Sequence, residues 1–145
     1  MPHRTVLPGR AVLAITIFSL IAAASAPAGE RAKVRKPRLD LRASPRFSFT
    51  PSTVLVVAEL NGGDDDEEFY CPAIVWDWDD GGRSANEADC PPFRPGTALE
   101  RRFTAAHGYN RAGVYNVRVH MLRASRPLAM ASATVTVRGF GDRGE

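Results

Sequence analysis

The chain is poor in the residues on which reaction centres are most often built. Only two cysteines and three histidines occur among its 145 residues, and none are paired at the close spacing of a zinc site. There is no Gly-rich phosphate loop, no nucleophile elbow and no metalloprotease helix, and no serine has a credible base nearby in sequence. Long apolar runs are also missing. The longest, AVLAITIFSLIAAA (11–24), would extend about 21 Å as a helix, short of the roughly 30 Å of a bilayer core. No convincing amphipathic helix follows it. These absences argue against several enzyme classes and against a stable membrane span.

What is present at the N-terminus has the layout of a secretory signal peptide: basic MPHRTVLPGR, then the apolar run, then small residues. Cleavage after Ala24-Ser25-Ala26 would leave Pro27 next to the cut, so the expected site is after Ala28, giving a signal peptide over 1–28 and a secreted or periplasmic product. In an oxidising compartment Cys71 and Cys90 are expected to form a disulfide enclosing 18 residues. The alternative is a nucleophilic Cys71 with His107 as its base, in a secreted hydrolase.

Residues 29–46 hold seven Lys or Arg against two acids and include Pro37 and Pro45. They read as a basic flexible leader over 29–45, able to touch an anionic surface through 29–46 but lacking the interleaved aromatics of a specific nucleic-acid binder. From 46 to 139 the pattern is that of strands. FSF and TVLVVAEL read as a short strand, a kink at Pro51 and a longer strand. FYCPAIVWDWDD alternates, with Ile74, Trp76 and Trp78 on one face, and runs into the turn DDGG. TALERRFT (97–104) fits a strand or a short helix. In AGVYNVRVHML, Tyr115, Val117, Val119 and Met121 share a face. RASRPLAMAS turns the chain into ATVTVR, where Ala133, Val135 and Val137 repeat the alternation, so these two strands are expected to pair as a hairpin. Residues 140–145 form a short tail. The fold class is all-β, a seven-stranded antiparallel sandwich of the immunoglobulin-like kind with Trp76 in its core.

VWDWDDG (75–81) and HGYNRAGVYNVRVHM (107–121) together resemble the polycystic-kidney-disease (PKD) domain, which carries Trp-Asp-Phe-Gly-Asp-Gly and later His-x-Tyr, Pro/Ala-Gly and Tyr-x-Val. The matching residues are Trp76, Asp77, Trp78, Asp80, Gly81, His107, Tyr109, Gly113, Tyr115 and Val117, within a resemblance covering about 45–138. It implies a non-catalytic extracellular module that contacts proteins or carbohydrates, or a calcium-binding structural module of the envelope. His107 is then a structural hydrogen-bonding residue, Gly113 takes a left-handed conformation before its strand, and Tyr109 or Tyr115 returns its hydroxyl to backbone. Two departures stand out: Asp79 occupies a position where the pattern has Gly, and the cysteines lie outside the pattern.

Charge is unevenly distributed. Residues 59–90 carry a net −10, against +5 for 29–58 and +6 for 91–145. Two accounts follow: a solvated acidic face neutralised by Arg101, Arg102 or the leader, or a weak Ca²⁺ site on Asp77, Asp79 and Asp80, there being no other cofactor to expect.

Overall fold

Strand-forming alternation extends over most of the chain, and the elements it produces close into two facing sheets. A computed structural model describes residues 33–141. The predicted signal peptide with its Ala28 cleavage site, the start of the leader (29–32) and the end of the tail (142–145) lie outside the described residues.

Among the described residues eight strands are formed: β1 (Arg38–Ser44), β2 (Phe47–Phe49), β3 (Ser52–Asn61), β4 (Ala73–Asp77), β5 (Arg83–Asn86), β6 (Arg102–Tyr109), β7 (Gly113–Arg123) and β8 (Arg126–Arg138). One sheet has the order β1-β3-β6 and the other β2-β8-β7-β4-β5. Their inner faces meet in an apolar core. Val54, Val56, Ala58 and Leu60 of β3 face Trp76 of β4, Val117, Val119 and Met121 of β7, and Val135 and Val137 of β8, all of them buried. Each large aliphatic side chain withdrawn from water in this way contributes roughly 1.5–3 kcal/mol before entropy is counted. The faces predicted for β4, β7 and β8 are the faces observed, and β7 and β8 form the expected antiparallel hairpin.

Several boundaries differ from expectation, each for an identifiable reason. The segment 38–44 of the expected flexible leader is β1, paired antiparallel with β3 from Arg38↔Asn61 to Ser44↔Leu55. Leu39, Leu41 and Ala43 alternate there beneath Arg38, Asp40 and Arg42, and Leu39 and Ala43 are buried. The sandwich therefore begins before residue 46. β6 occupies 102–109 rather than 97–104, with Phe103 and Tyr109 buried on its inner face. The ten-residue turn expected at 123–132 shrinks to Ala124 and Ser125, both at positive φ (43° and 68°), as a two-residue hairpin turn of the I′ kind requires. The sandwich has eight strands rather than seven, β1 and β5 being unmarked by sequence pattern. Nor is it wholly antiparallel, because β2 runs parallel to β8. Pro45 and Pro51 bracket β2, and their lack of an N–H limits that edge ladder to three residues.

Candidate functional site

The residues of the recognised pattern assemble at one end of the sandwich as a column of rings. A spacing of two puts Trp76 and Trp78 on the same inward face, where their rings stack at 6.0 Å and 13°. β6 presents His107 and Tyr109 by the same rule. The His107 imidazole lies parallel over Trp78 at 4.6 Å, and Tyr109 meets it edge-on at 4.8 Å. Tyr109 then stacks on Tyr115 of β7 at 4.2 Å, joining the two sheets. Polar ends are satisfied along the column. Trp78 Nε1 donates to Ser84 Oγ (2.9 Å), Tyr109 Oη to the Trp78 carbonyl (2.9 Å) and Tyr115 Oη to the Arg111 carbonyl (2.8 Å). Both tyrosines thus return their hydroxyls to backbone. Burial, helped by the nearby Asp80 charge, pushes the Tyr109 phenol well above its ordinary pKa. A cleft of about 430 Å³ opens beside the column between Asp80 and Arg111. Tyr109 and Tyr115 line it but are themselves buried, so neither offers a ring face for a sugar to stack on.

Gly113 is not left-handed, in contrast to expectation; the positive-φ glycines are elsewhere, Gly81 (91°) among them. What requires glycine at 113 is the Tyr115 ring, whose Cζ would stand 3.0 Å from any added Cβ. Asp79, at the position where the pattern has Gly, adopts φ 62° and fixes itself there by accepting the Asn116 N–H on Oδ2 (2.8 Å). Aspartate is among the few side chains that tolerate this region.

The three aspartates expected to gather a cation are not brought to one point. Asp77 Oδ1 accepts the Asp79 N–H (3.1 Å) and its Oδ2 faces Arg83 (3.3 Å) and Arg118 (4.0 Å). Asp80 Oδ1 accepts the Gly82 N–H (2.8 Å), and Oδ2 meets His107 Nε2 at 2.7 Å. With Asp79 turned to Asn116, each carboxylate serves a different partner. Among the described residues no three of His, Cys, Asp and Glu converge as a metal site. Burial alone would raise the Asp80 pKa, but the hydrogen bonds from His107 and the Gly82 N–H outweigh it and hold the carboxyl below its usual range.

The acidic run 64–68 is likewise engaged. Asp64 pairs with Arg35 (2.9 Å), Asp65 with Arg101 (2.6 Å), Glu67 with Arg123 (3.2 Å), and Glu68 with Arg126 (2.7 Å) and Lys36 (3.7 Å). Asp66 caps a short 3₁₀ helix, Glu67–Phe69, by accepting the Glu68 N–H. Arg102 pairs with Glu59 across the β3–β6 ladder. Three cations of the basic leader, Arg35, Lys36 and Arg38, thus meet acids of their own chain, Arg38 through Asp40. Cys71 and Cys90 are joined in a disulfide, Cα atoms 6.1 Å apart, tying the loop before β4 to the loop after β5.

Sequence patterns gave no sign of one surface. On β2 it is Ser48 that turns inward, its Oγ buried without a partner, while Phe47 and Phe49 face solvent. Their rings meet edge-to-face at 5.6 Å, Phe140 packs on Phe49 at 5.7 Å, and the Arg138 guanidinium lies over Phe47 at 5.7 Å. The register sets Phe47 beside Thr136, and Thr136 beside exposed Val114 of β7. Only a register places these residues together, because they come from separate segments of the chain.

No family model matches the chain, and neither does any curated protein. Among solved structures, the PKD domain of an M14-like peptidase from a Thermoplasmatales archaeon is similar at a TM-score of 0.51 and 16% identity, over 72% of this chain and 98% of that one. The CARDB domain of a Pyrococcus furiosus protein, solved in complex with di-metal ions, gives a TM-score of 0.42 at 8% identity, over 72% and 96% of the two chains. At these identities the likeness is one of fold. With the column of Trp76, Trp78, His107, Tyr109 and Tyr115, the fold of this chain is a PKD-like, immunoglobulin-type β-sandwich.

Proposed function

We propose that the chain is an exported, non-catalytic module whose work is to bind a protein or carbohydrate partner. One observation carries the reading: the groups that would do chemistry are committed to holding the fold together. The Cys71 sulfur is bonded to Cys90, and the His107 imidazole is packed between Trp78 and Tyr109 with Nε2 on Asp80. A nucleophile–base pair needs a free nucleophile within hydrogen-bond reach of its base, and neither group is available for that. Fold likeness adds an analogy to a class of modules and no activity.

The test is a panel of esterase, glycosidase and peptidase substrates, run beside an intact-mass measurement of the secreted product. Turnover at background and a mass matching residues 29–145 less two protons are expected. Robust turnover lost in His107→Ala would overturn the reading, and a retained N-terminal segment would remove the exported form from it.

A further inference from the structure

We propose that the outer face of the five-stranded sheet, centred on Phe47, Phe49, Phe140 and Arg138, is a docking surface for an acidic protein segment that carries apolar side chains. The inference rests on the reading of the chain as a binding module and supplies that module's working face.

Composition is the first support. Phe140 is 84% exposed, Val114 68%, Phe47 52% and Phe49 48%, and the three rings leave roughly 300–450 Å² of aromatic surface in water. Single apolar residues at a surface need no account, but a contiguous aromatic patch of this size commonly marks an interaction site. Arginine and aromatics are enriched at the centres of protein interfaces, while Lys, Glu and Asp are depleted. Here Phe47 and Phe49 meet edge-to-face, Phe140 lies tilted on Phe49 and Arg138 is laid on Phe47, so little side-chain freedom remains to be lost on binding.

Charge identifies the partner. By register, the strands of this sheet carry Arg83, Arg118 and Arg138 on the outer face against a single acid, Asp77. Among the described residues no ion pair uses Arg138, the cation that lies on the rings. Asp77, at the end of β4, is held between Arg83 and Arg118. The face is therefore apolar and cationic, and carboxylates are what complement it.

Two other occupants fit less well. A second copy could bring only scattered acids, because Asp64, Asp65, Glu67 and Glu68 are already paired within the chain. The exposed acids with no partner among the described residues, Glu87, Asp89 and Glu100, lie on two separate segments without exposed large apolar neighbours in sequence to match the rings. The exposed aromatic area also falls short of the about 800 Å² per partner of a standard stable interface. A lipid bilayer would bury Thr134, Thr136 and Asn116, which share the outer face with Val114, against hydrocarbon that offers no hydrogen bonds.

The experiment uses the secreted chain as bait for a phage-displayed library of 16-residue peptides, followed by titration of synthetic copies of the enriched sequences. Expected are sequences combining Asp or Glu with Phe, Leu, Ile or Trp. Their affinity should fall at least tenfold in Phe49→Ser and in Arg138→Glu, each first checked for unchanged thermal unfolding, and severalfold between 50 and 500 mM NaCl. Leu55→Ser, on the outer face of the other sheet, should alter it less than twofold. Enrichment of neutral or basic peptides, no enrichment, or binding lost in Leu55→Ser and kept in Phe49→Ser would overturn the proposal. So would sedimentation with anionic vesicles that needs Phe49, which would assign the face to a membrane, or a dimer in sedimentation velocity that Phe49→Ser dissolves. None of these outcomes bears on the non-catalytic part of the module reading, which substrate turnover tests separately.

Discussion

Replacing Gly113 with alanine tests the packing of the ring column at its tightest point. The new methyl would sit 3.0 Å from Tyr115 Cζ, 3.2 Å from Oη and 3.3 Å from Cε2. The ring cannot move aside freely. It is stacked on Tyr109 at 4.2 Å, and its hydroxyl donates to the Arg111 carbonyl at 2.8 Å. Overpacking of this kind costs about 1–3 kcal/mol, and loss of the hydroxyl's bond about 1 kcal/mol if the ring swings out. Against this, alanine reduces the freedom of the unfolded chain by about 0.4–1 kcal/mol. The net expectation is a loss of about 1–2 kcal/mol by urea unfolding. In a Tyr115→Leu background the same substitution should be neutral or mildly stabilising, which gives a coupling of about 1–3 kcal/mol in a double-mutant cycle. A cost that is equal in both backgrounds would refute the reasoning, because it is what a left-handed Gly113 would produce whatever stands at 115.

Other outcomes follow from the same contacts. Cys71→Ser with Cys90→Ser should lower stability by about 3 kcal/mol on the chain-entropy account of a loop this long, measured against the oxidised parent in urea. Because the folded Asp80 pKa lies below its unfolded value, the stability it contributes is complete above the ordinary carboxyl range and is lost as pH falls through the folded value. The acid limb of a melting-temperature profile below about pH 4 should therefore flatten in Asp80→Asn. Tyr109 has the opposite sign: its raised phenol pKa contributes stability that is lost above about pH 10, a loss that Tyr109→Phe should remove. Millimolar Ca²⁺ should leave the melting temperature unchanged, since the Asp77, Asp79 and Asp80 carboxylates serve separate partners. A rise abolished by neutralising all three would restore the cation site.

Legibility tracked how far each element depends on local pattern. β7 and the second half of β8, from Ala133, were readable because every second residue is apolar and that face is buried along β7 and at Val135 and Val137, whereas the first half of β8, read as a turn, has no buried residue. β1 was hidden because its solvent face is charged and its inward Leu39, Leu41 and Ala43 look unremarkable among seven basic residues. The two-residue turn at Ala124-Ser125 carries none of the Asn-Gly signal that usually marks positive φ. At the ring column, the pattern singled out the residues and put Trp76 and Trp78 on one face, but not which rings stack on which, nor that Gly113 answers to a ring rather than to a backbone angle. The Phe47–Phe49 face was illegible for a different reason: apolar patterning assigns phenylalanine inward, and here the parallel pairing of β2 with β8 turns Ser48 inward instead.

A urea-unfolding cycle on His107→Ala and Asp80→Asn, read beside the substrate panel, tests the central claim that the chemistry-like residues are structural. Residues kept for catalysis tend to leave a fold as stable or more stable when they are replaced, whereas residues that hold it together cost stability. The account predicts that each single variant is destabilised, with a coupling of about 1–2 kcal/mol across the 2.7 Å His107–Asp80 contact and no turnover in any of the four proteins. Variants as stable as the parent, together with a parent activity that both of them lose, would contradict it.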